Sequence, residues 1–176
     1  MDDFSFASHT DILLESADMN STSITAVSGI TANSSADGEW ALSINPDDKN
    51  GTAELTREKT YGNNCLKISV SNTSPSVSYA INGELEPGNY TLSLDMYIEG
   101  KGSESVNFDV FDTSTGSVVR TTEGAAMAGR SVKSGAWNTV TVPFVLTGKS
   151  DVIFRFFTGS AVNFCIDNVS VTRVGY

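Results

Sequence analysis

A two-sheet antiparallel β-sandwich of jelly-roll type is the all-β fold this sequence predicts, and three observations carry the prediction. Apolar and polar residues alternate with a period of two through most of the chain. No long run combines a helical apolar repeat with capping residues at its ends. Turn clusters rich in Gly, Pro and Asn separate short strands at regular intervals, the pattern of sandwiches and barrels. At 176 residues the chain fits one domain with a real hydrophobic core. Residues 1–10 read as a tag or linker remnant and residues 11–176 as a single module.

The predicted strands follow in order. Residues 12–15 and 23–27 open the series as short extended segments. Trp40–Ile44 places Trp40, Leu42 and Ile44 on one side, which assigns Trp40 to the core. The turn 45–51 leads into a strand at 51–57, and Tyr61-Gly62-Asn63-Asn64 into one at 65–71. In the strand 76–81, Tyr79 is in phase with Val77 and Ile81 and so belongs inside. Glu86-Pro87-Gly88-Asn89 introduces Gly88–Ile98, and Glu99-Gly100-Lys101-Gly102 separates it from a strand at 105–112. After the turn 113–116 comes a strand at 117–122. Residues 121–135, the least regular stretch, read as a long loop or crossing. Trp137 then packs at an edge just ahead of a strand at 139–146, and strands at 151–158 and 163–173 complete the sandwich.

The phases opposite the core carry the functional signal. Tyr90, Leu92, Leu94, Met96 and Ile98 form one face of Gly88–Ile98, which leaves Asp95 and Tyr97 on the other. In the next strand Val106, Phe108 and Val110 point inward, and Asn107, Asp109 and Phe111 outward. Arg155 marks the outward phase of 151–158, with Phe157 beside it. If these strands share a sheet, its outer face offers rings next to carboxylates, an amide and a guanidinium. A sugar stacks its C–H faces on aromatic rings and fixes its hydroxyls with polar donors and acceptors. The predicted binding set is therefore Asp95, Tyr97, Asn107, Asp109, Phe111 and Arg155; an ordinary solvated sheet face is the competing interpretation.

Charge and motifs narrow the classes. A net charge of −10, with 11 scattered basic residues, argues against nucleic acid and anionic membranes as partners. No apolar run has the length of a membrane helix, and the N-terminal residues lack the features of a signal peptide. Sequons at Asn20, Asn33, Asn50, Asn72, Asn89 and Asn168 are what an Asn-, Ser- and Thr-rich chain yields by chance. Cys65 and Cys165 each alternate with large apolar residues, leaving open a disulfide between neighbouring strands or two unpaired thiols. The one histidine, His9, has no nucleophile motif nearby, and no GxSxG, P-loop, GxGxxG or HExxH occurs. Only a glycosidase-like carboxylate pair, Asp95 with Asp109, stands as a catalytic alternative. Asp167 is out of place inside an otherwise β-branched and aromatic strand; a carboxylate there must be solvated, paired or bound to a metal.

Four stretches, in order, resemble carbohydrate-binding modules of the family 4, 9, 16 and 22 type. They are Gly62-Asn63-Asn64-Cys65-Leu66-Lys67-Ile68-Ser69-Val70; Leu85-Glu86-Pro87-Gly88-Asn89-Tyr90-Thr91-Leu92-Ser93; Trp137-Asn138-Thr139-Val140-Thr141-Val142-Pro143-Phe144; and Phe164-Cys165-Ile166-Asp167-Asn168-Val169-Ser170-Val171. The resemblance implies a jelly roll without catalysis, tethered to a secreted enzyme that degrades plant cell-wall polysaccharide such as β-glucan or xylan. It also implies a structural calcium held by Asp167, by Glu15 in Leu14-Glu15 and by Glu58, completed by backbone oxygens. Cys65 stands where the family has Ser, and Leu14 where it usually has Phe. The expected protein is thus an extracellular, monomeric, sugar-binding module. Its rivals are a structural spacer that binds no sugar and a small jelly-roll glycan-cleaving enzyme.

Overall fold

The computed structural model describes residues 10–14, 24–28, 40–44, 52–60, 63–73, 75–81, 83–119 and 128–174. In chain order the strands are β1 (Thr10–Leu14), β2 (Ile24–Ser28), β3 (Trp40–Ile44), β4 (Thr52–Thr60), β5 (Asn63–Ser71), β6 (Ser76–Ala80) and β7 (Gly88–Ile98). They continue with β8 (Ser103–Asp112), β9 (Ser117–Val119), β10 (Ala128–Lys133), β11 (Trp137–Leu146), β12 (Val152–Thr158) and β13 (Phe164–Val174). Sheet I runs β11-β7-β13-β5-β4, with β1 added against β13. Sheet II runs β10-β8-β12-β6-β3-β2, with β9 against β8.

Consecutive strands β7 and β8 therefore lie in different sheets. Their connection carries Gly100 and Gly102, both at φ near +100°, a region that residues with a Cβ rarely enter. Both sheets present their predicted apolar phases to one core. Leu92, Leu94, Met96 and Ile98 of β7 face Phe108 of β8 and Phe154 and Phe156 of β12 across it, all fully buried. Trp40 and Tyr79 are core residues, as their phases predict, with ring centroids 5.0 Å apart. Tyr90 stacks on Phe144, which meets Phe154 edge-on. Each large side chain buried this way contributes about 1.5–3 kcal/mol of transfer free energy.

Three elements differ from the sequence reading. The stretch expected to be a loop contains β10, which pairs with β8; among its described side chains Val132 is the one buried apolar group, too thin a signal for alternation to register. β11 starts at Trp137, directly opposite Tyr97, so this ring lies on a sheet face and not before the strand. β2 pairs with β3 in parallel, an exception in an otherwise antiparallel fold; the separation of the two strands in sequence leaves room for the crossover that a parallel pair requires.

β13 ties sheet I together. Its first half pairs with β5, Phe164 against Ile68, and its second half with β1, Val174 against Thr10. Between them the register with β7 shifts from Asp167 to Ser170, and Asn168 takes a left-handed φ of 50°. This bulge is the local reason a carboxylate is tolerated in the strand: the ladder is already interrupted there.

Candidate functional site

The predicted binding residues separate onto two opposite faces, because β7 belongs to sheet I and β8 and β12 to sheet II. Asp95 and Tyr97 lie on the outer face of sheet I, and Asn107, Asp109, Phe111 and Arg155 on that of sheet II. The single composite face expected from the sequence does not form. Alternation reports only whether a side chain points in or out, and each of these phases was read correctly. Asp95 and Asp109 are separated by the thickness of the sandwich and point away from each other, so they cannot flank one glycosidic bond as a glycosidase pair does.

On sheet II, Arg155 stands directly opposite Asp109 in the β12–β8 ladder. Its Nε donates to Asp109 Oδ1 and its Nη2 to Oδ2, both at 2.6 Å. This is a fork-to-fork pair that fixes the guanidinium plane. The pair is shielded: the side chains of Arg155 and Asp109 are 12% and 4% exposed. The guanidinium carbon lies 4.7 Å from the Phe111 ring centroid and 5.9 Å from that of Phe157. Phe157 is opposite Asn107 on one side and Ser76 on the other. The Ser76 hydroxyl is buried without a hydrogen-bond partner. Towards β3 the outward side chains become small, Ser78, Ala80, Ala41 and Ser43, and all are buried. Asn107, Phe111, Arg155 and Phe157 form a half-buried strip on the outer face of β8 and β12. Ser76 was absent from the sequence-predicted set, since a lone serine in a strand carries no signal. Phe157 shared the outward phase of Arg155 and was legible by that.

On sheet I, Tyr97 and Trp137 face each other across β7 and β11, with centroids 5.7 Å apart and planes tilted by 60°. One step along, Thr139 Oγ1 donates to Asp95 Oδ1 at 2.6 Å and Asn168 Nδ2 to Oδ2 at 2.8 Å. Both Asp95 oxygens are thus engaged by the protein itself. Asp167 stands directly opposite Asp95, and its Oδ1 accepts the Asn168 N–H at 2.8 Å. Burial, and then the neighbouring Asp95 charge, hold the Asp167 carboxyl above its ordinary range despite that hydrogen bond.

The expected metal ligands are only partly described. Glu15 lies outside the described residues, and for Glu58 only the backbone is described, opposite Cys65 in the β4–β5 ladder. No cluster of three potential ligands occurs among the described residues. The loops around residues 33–38 and 124–129 also lie outside the described residues.

A cleft of about 530 Å³ opens at the edge of the sandwich, between the β8–β9 turn and the end of β11. Asp112 anchors it, accepting the Ser114 and Thr115 N–H groups at 2.9 and 3.3 Å and the Ser150 hydroxyl at 3.1 Å. Among the described residues no aromatic ring lines this cleft.

Comparison with known proteins follows from this geometry. The model of the family described as "Carbohydrate binding domain", of the family 4 and 9 type, matches residues 29–163. No curated protein matches significantly. Among solved structures, a Bacteroides thetaiotaomicron protein described as a candidate sugar-binding protein is 16% identical, covering 93% of this chain and 100% of its own, with a TM-score of 0.60. The CBM22-1 xylan-binding domain of Paenibacillus barcinonensis Xyn10C is 14% identical over 97% of this chain and 98% of its own, with a TM-score of 0.53. The CBM22-1 and GH10 modules of Clostridium thermocellum xylanase 10B, complexed with xylohexaose, match at 19% identity and a TM-score of 0.52. That match covers 78% of this chain and only 26% of the xylanase chain. At these identities the structures establish the shared sandwich fold. With its two sheets and this family match over most of its length, the chain belongs to the carbohydrate-binding domain family.

Proposed function

We propose that the protein is a non-catalytic module that binds a plant cell-wall glycan of the xylan or β-glucan class along the outer face of sheet II. The observation that carries this reading is the Arg155 guanidinium, locked by Asp109 and set beside the rings of Phe111 and Phe157. The two rings supply apolar surface for sugar C–H faces, and Asn107 and Arg155 supply hydroxyl-reading groups. The xylan-binding function stated for the Paenibacillus domain supports the ligand class. The module–enzyme arrangement of the Clostridium xylanase supports tethering to a secreted catalytic domain.

Calcium belongs to the same proposal. Asp167 is the one expected ligand whose side chain is described; it stands opposite Asp95 at a bulge, and two facing carboxylates repel unless a positive charge lies nearby, which supports the reading. Asp167 would hold the ion, with Glu15 and Glu58 as its expected partners. Calcium would supply stability, and the sugar chemistry lies on the other sheet.

Affinity electrophoresis through gels containing xylan or mixed-linkage β-glucan tests the sugar reading. Wild-type protein is expected to be retarded on at least one glycan, and Phe157→Ala to lose about 2–12-fold in affinity, the worth of one stacking ring. Tyr97→Ala, on the opposite sheet, is expected to stay within twofold of wild type. Loss with Tyr97→Ala and not with Phe157→Ala moves the site to sheet I; no retardation on any glycan favours the spacer. Release of reducing sugar from a bound glycan by purified protein would overturn the non-catalytic assignment.

A further inference from the structure

We propose that Cys65 and Cys165 close a disulfide that joins β5 to β13 on the outer face of sheet I. The strands are direct neighbours, with Cys165 opposite Lys67 in the ladder. Cys65 lies two residues before Lys67, so the two cysteines project from the same face one diagonal step apart. The thiols are in contact, the Cys165 sulfur sharing a hydrogen bond with that of Cys65.

Their burial is unusual for this face. Cys65 and Cys165 are 1% and 0% exposed, although both point away from the sandwich core. Cys165 sits in register between Tyr97 of β7 and Lys67 of β5, whose longer side chains stand on either side of it. A soluble reductant therefore has no direct route to the sulfurs in the folded protein. Chain separation adds the energetic motive: the bridge spans the two-sheet topology from β5 to the last strand, so it removes a large loop-closure entropy from the unfolded chain.

The bridge forms as the chain folds, before the sulfurs are sealed, and the chemistry balances with a small disulfide such as oxidised glutathione as oxidant. One protein thiolate attacks it and releases a glutathione thiol. The second protein thiolate then displaces the other glutathione, leaving one protein S–S bond. Two protein thiols have lost two hydrogens, and two glutathione thiols are formed.

The test is thiol titration in denaturant of protein refolded from the reduced, unfolded chain with and without oxidised glutathione, with peptide mapping of the product. Expected are no remaining thiols and one cross-linked peptide containing Cys65 and Cys165. The oxidised protein should melt roughly 5–15 °C above the reduced form. The bridge should resist reductant until denaturant is added. Cys65→Ser places the residue the family carries at that position and should fold, with a melting temperature that the oxidant does not change. Two titratable thiols after oxidation, or only glutathione adducts on separate cysteines, overturn the proposal. So does a native-state reduction rate equal to that in denaturant, because it contradicts the shielding by Tyr97 and Lys67.

Discussion

Replacing Arg155 by Met removes the cation from a carboxylate that cannot reach water. Asp109 has a side chain only 4% exposed, and both its oxygens receive Arg155 N–H groups at 2.6 Å. Breaking one partner of such a pair costs about 3–5 kcal/mol, because the remaining charge stays buried and uncompensated. For a domain of this size that corresponds to a fall in melting temperature of about 6–20 °C. The double variant Asp109→Leu with Arg155→Met removes both charges together, and such exchanges are neutral or stabilising by about 1–4 kcal/mol. The assay is a thermal melt of wild type, the single variant and the double variant, read alongside gel retardation on xylan or β-glucan. The expected pattern is a destabilised single variant and a double variant that melts like wild type yet is no longer retarded. That pattern separates the structural part of the pair from its part in sugar binding. A single variant melting within about 2 °C of wild type would refute the claim that the Asp109 carboxylate is sealed from solvent.

Further expectations concern the acidic groups. Added calcium at about a hundred times its dissociation constant should raise stability by about 2.7 kcal/mol, or roughly 5–11 °C, and Asp167→Asn should abolish that increment. An unchanged melt in the presence of a chelator would remove calcium from the proposal. The raised Asp167 carboxyl favours the fold below its unfolded value and disfavours it once pH rises through the folded value. Without calcium, Asp167→Asn should therefore match or exceed wild-type stability at neutral pH, as read by urea denaturation. Asp112 behaves oppositely: burial works to raise its carboxyl, but hydrogen bonds from Thr115, Ser150 and Ser114 outweigh it and hold it below the ordinary range. Its contribution is present above the unfolded value and lost as pH falls through the folded one. Asp112→Asn should cost about 1.5–3 kcal/mol at neutral pH, and the gap should narrow below about pH 4. A gap that stays constant across that range refutes the assignment.

Much of the sandwich was legible because alternation is a strong signal where one face is buried. The inward phases of β7, β8 and β12 and the core positions of Trp40 and Tyr79 all follow from it. What alternation cannot report is which of two sheets a strand joins. Tyr97 and Phe111 share the outward phase in consecutive strands, yet the chain crosses the sandwich between them at Gly100 and Gly102. β10 was missed because Ala128-Gly129-Arg130-Ser131-Val132-Lys133 has one large apolar side chain to bury; pairing with β8 makes it a strand. Asp167 was conspicuous in the sequence for a sound reason, since the bulge and the left-handed Asn168 mark the same place in the fold. Ser76 gave no warning, because its interest lies in an unpaired hydroxyl that only three dimensions display.

The pairing of Thr10 with Val174 has an architectural consequence. The first and last strands described meet on one rim of sheet I, which brings the two ends of the described sandwich together. A polypeptide that carries it can take it up as a side branch, spliced into a surface turn of a host domain, without holding that turn's ends far apart. Such a graft would leave the strip on sheet II, on the other side of the sandwich, facing away from the rim where the two ends pair.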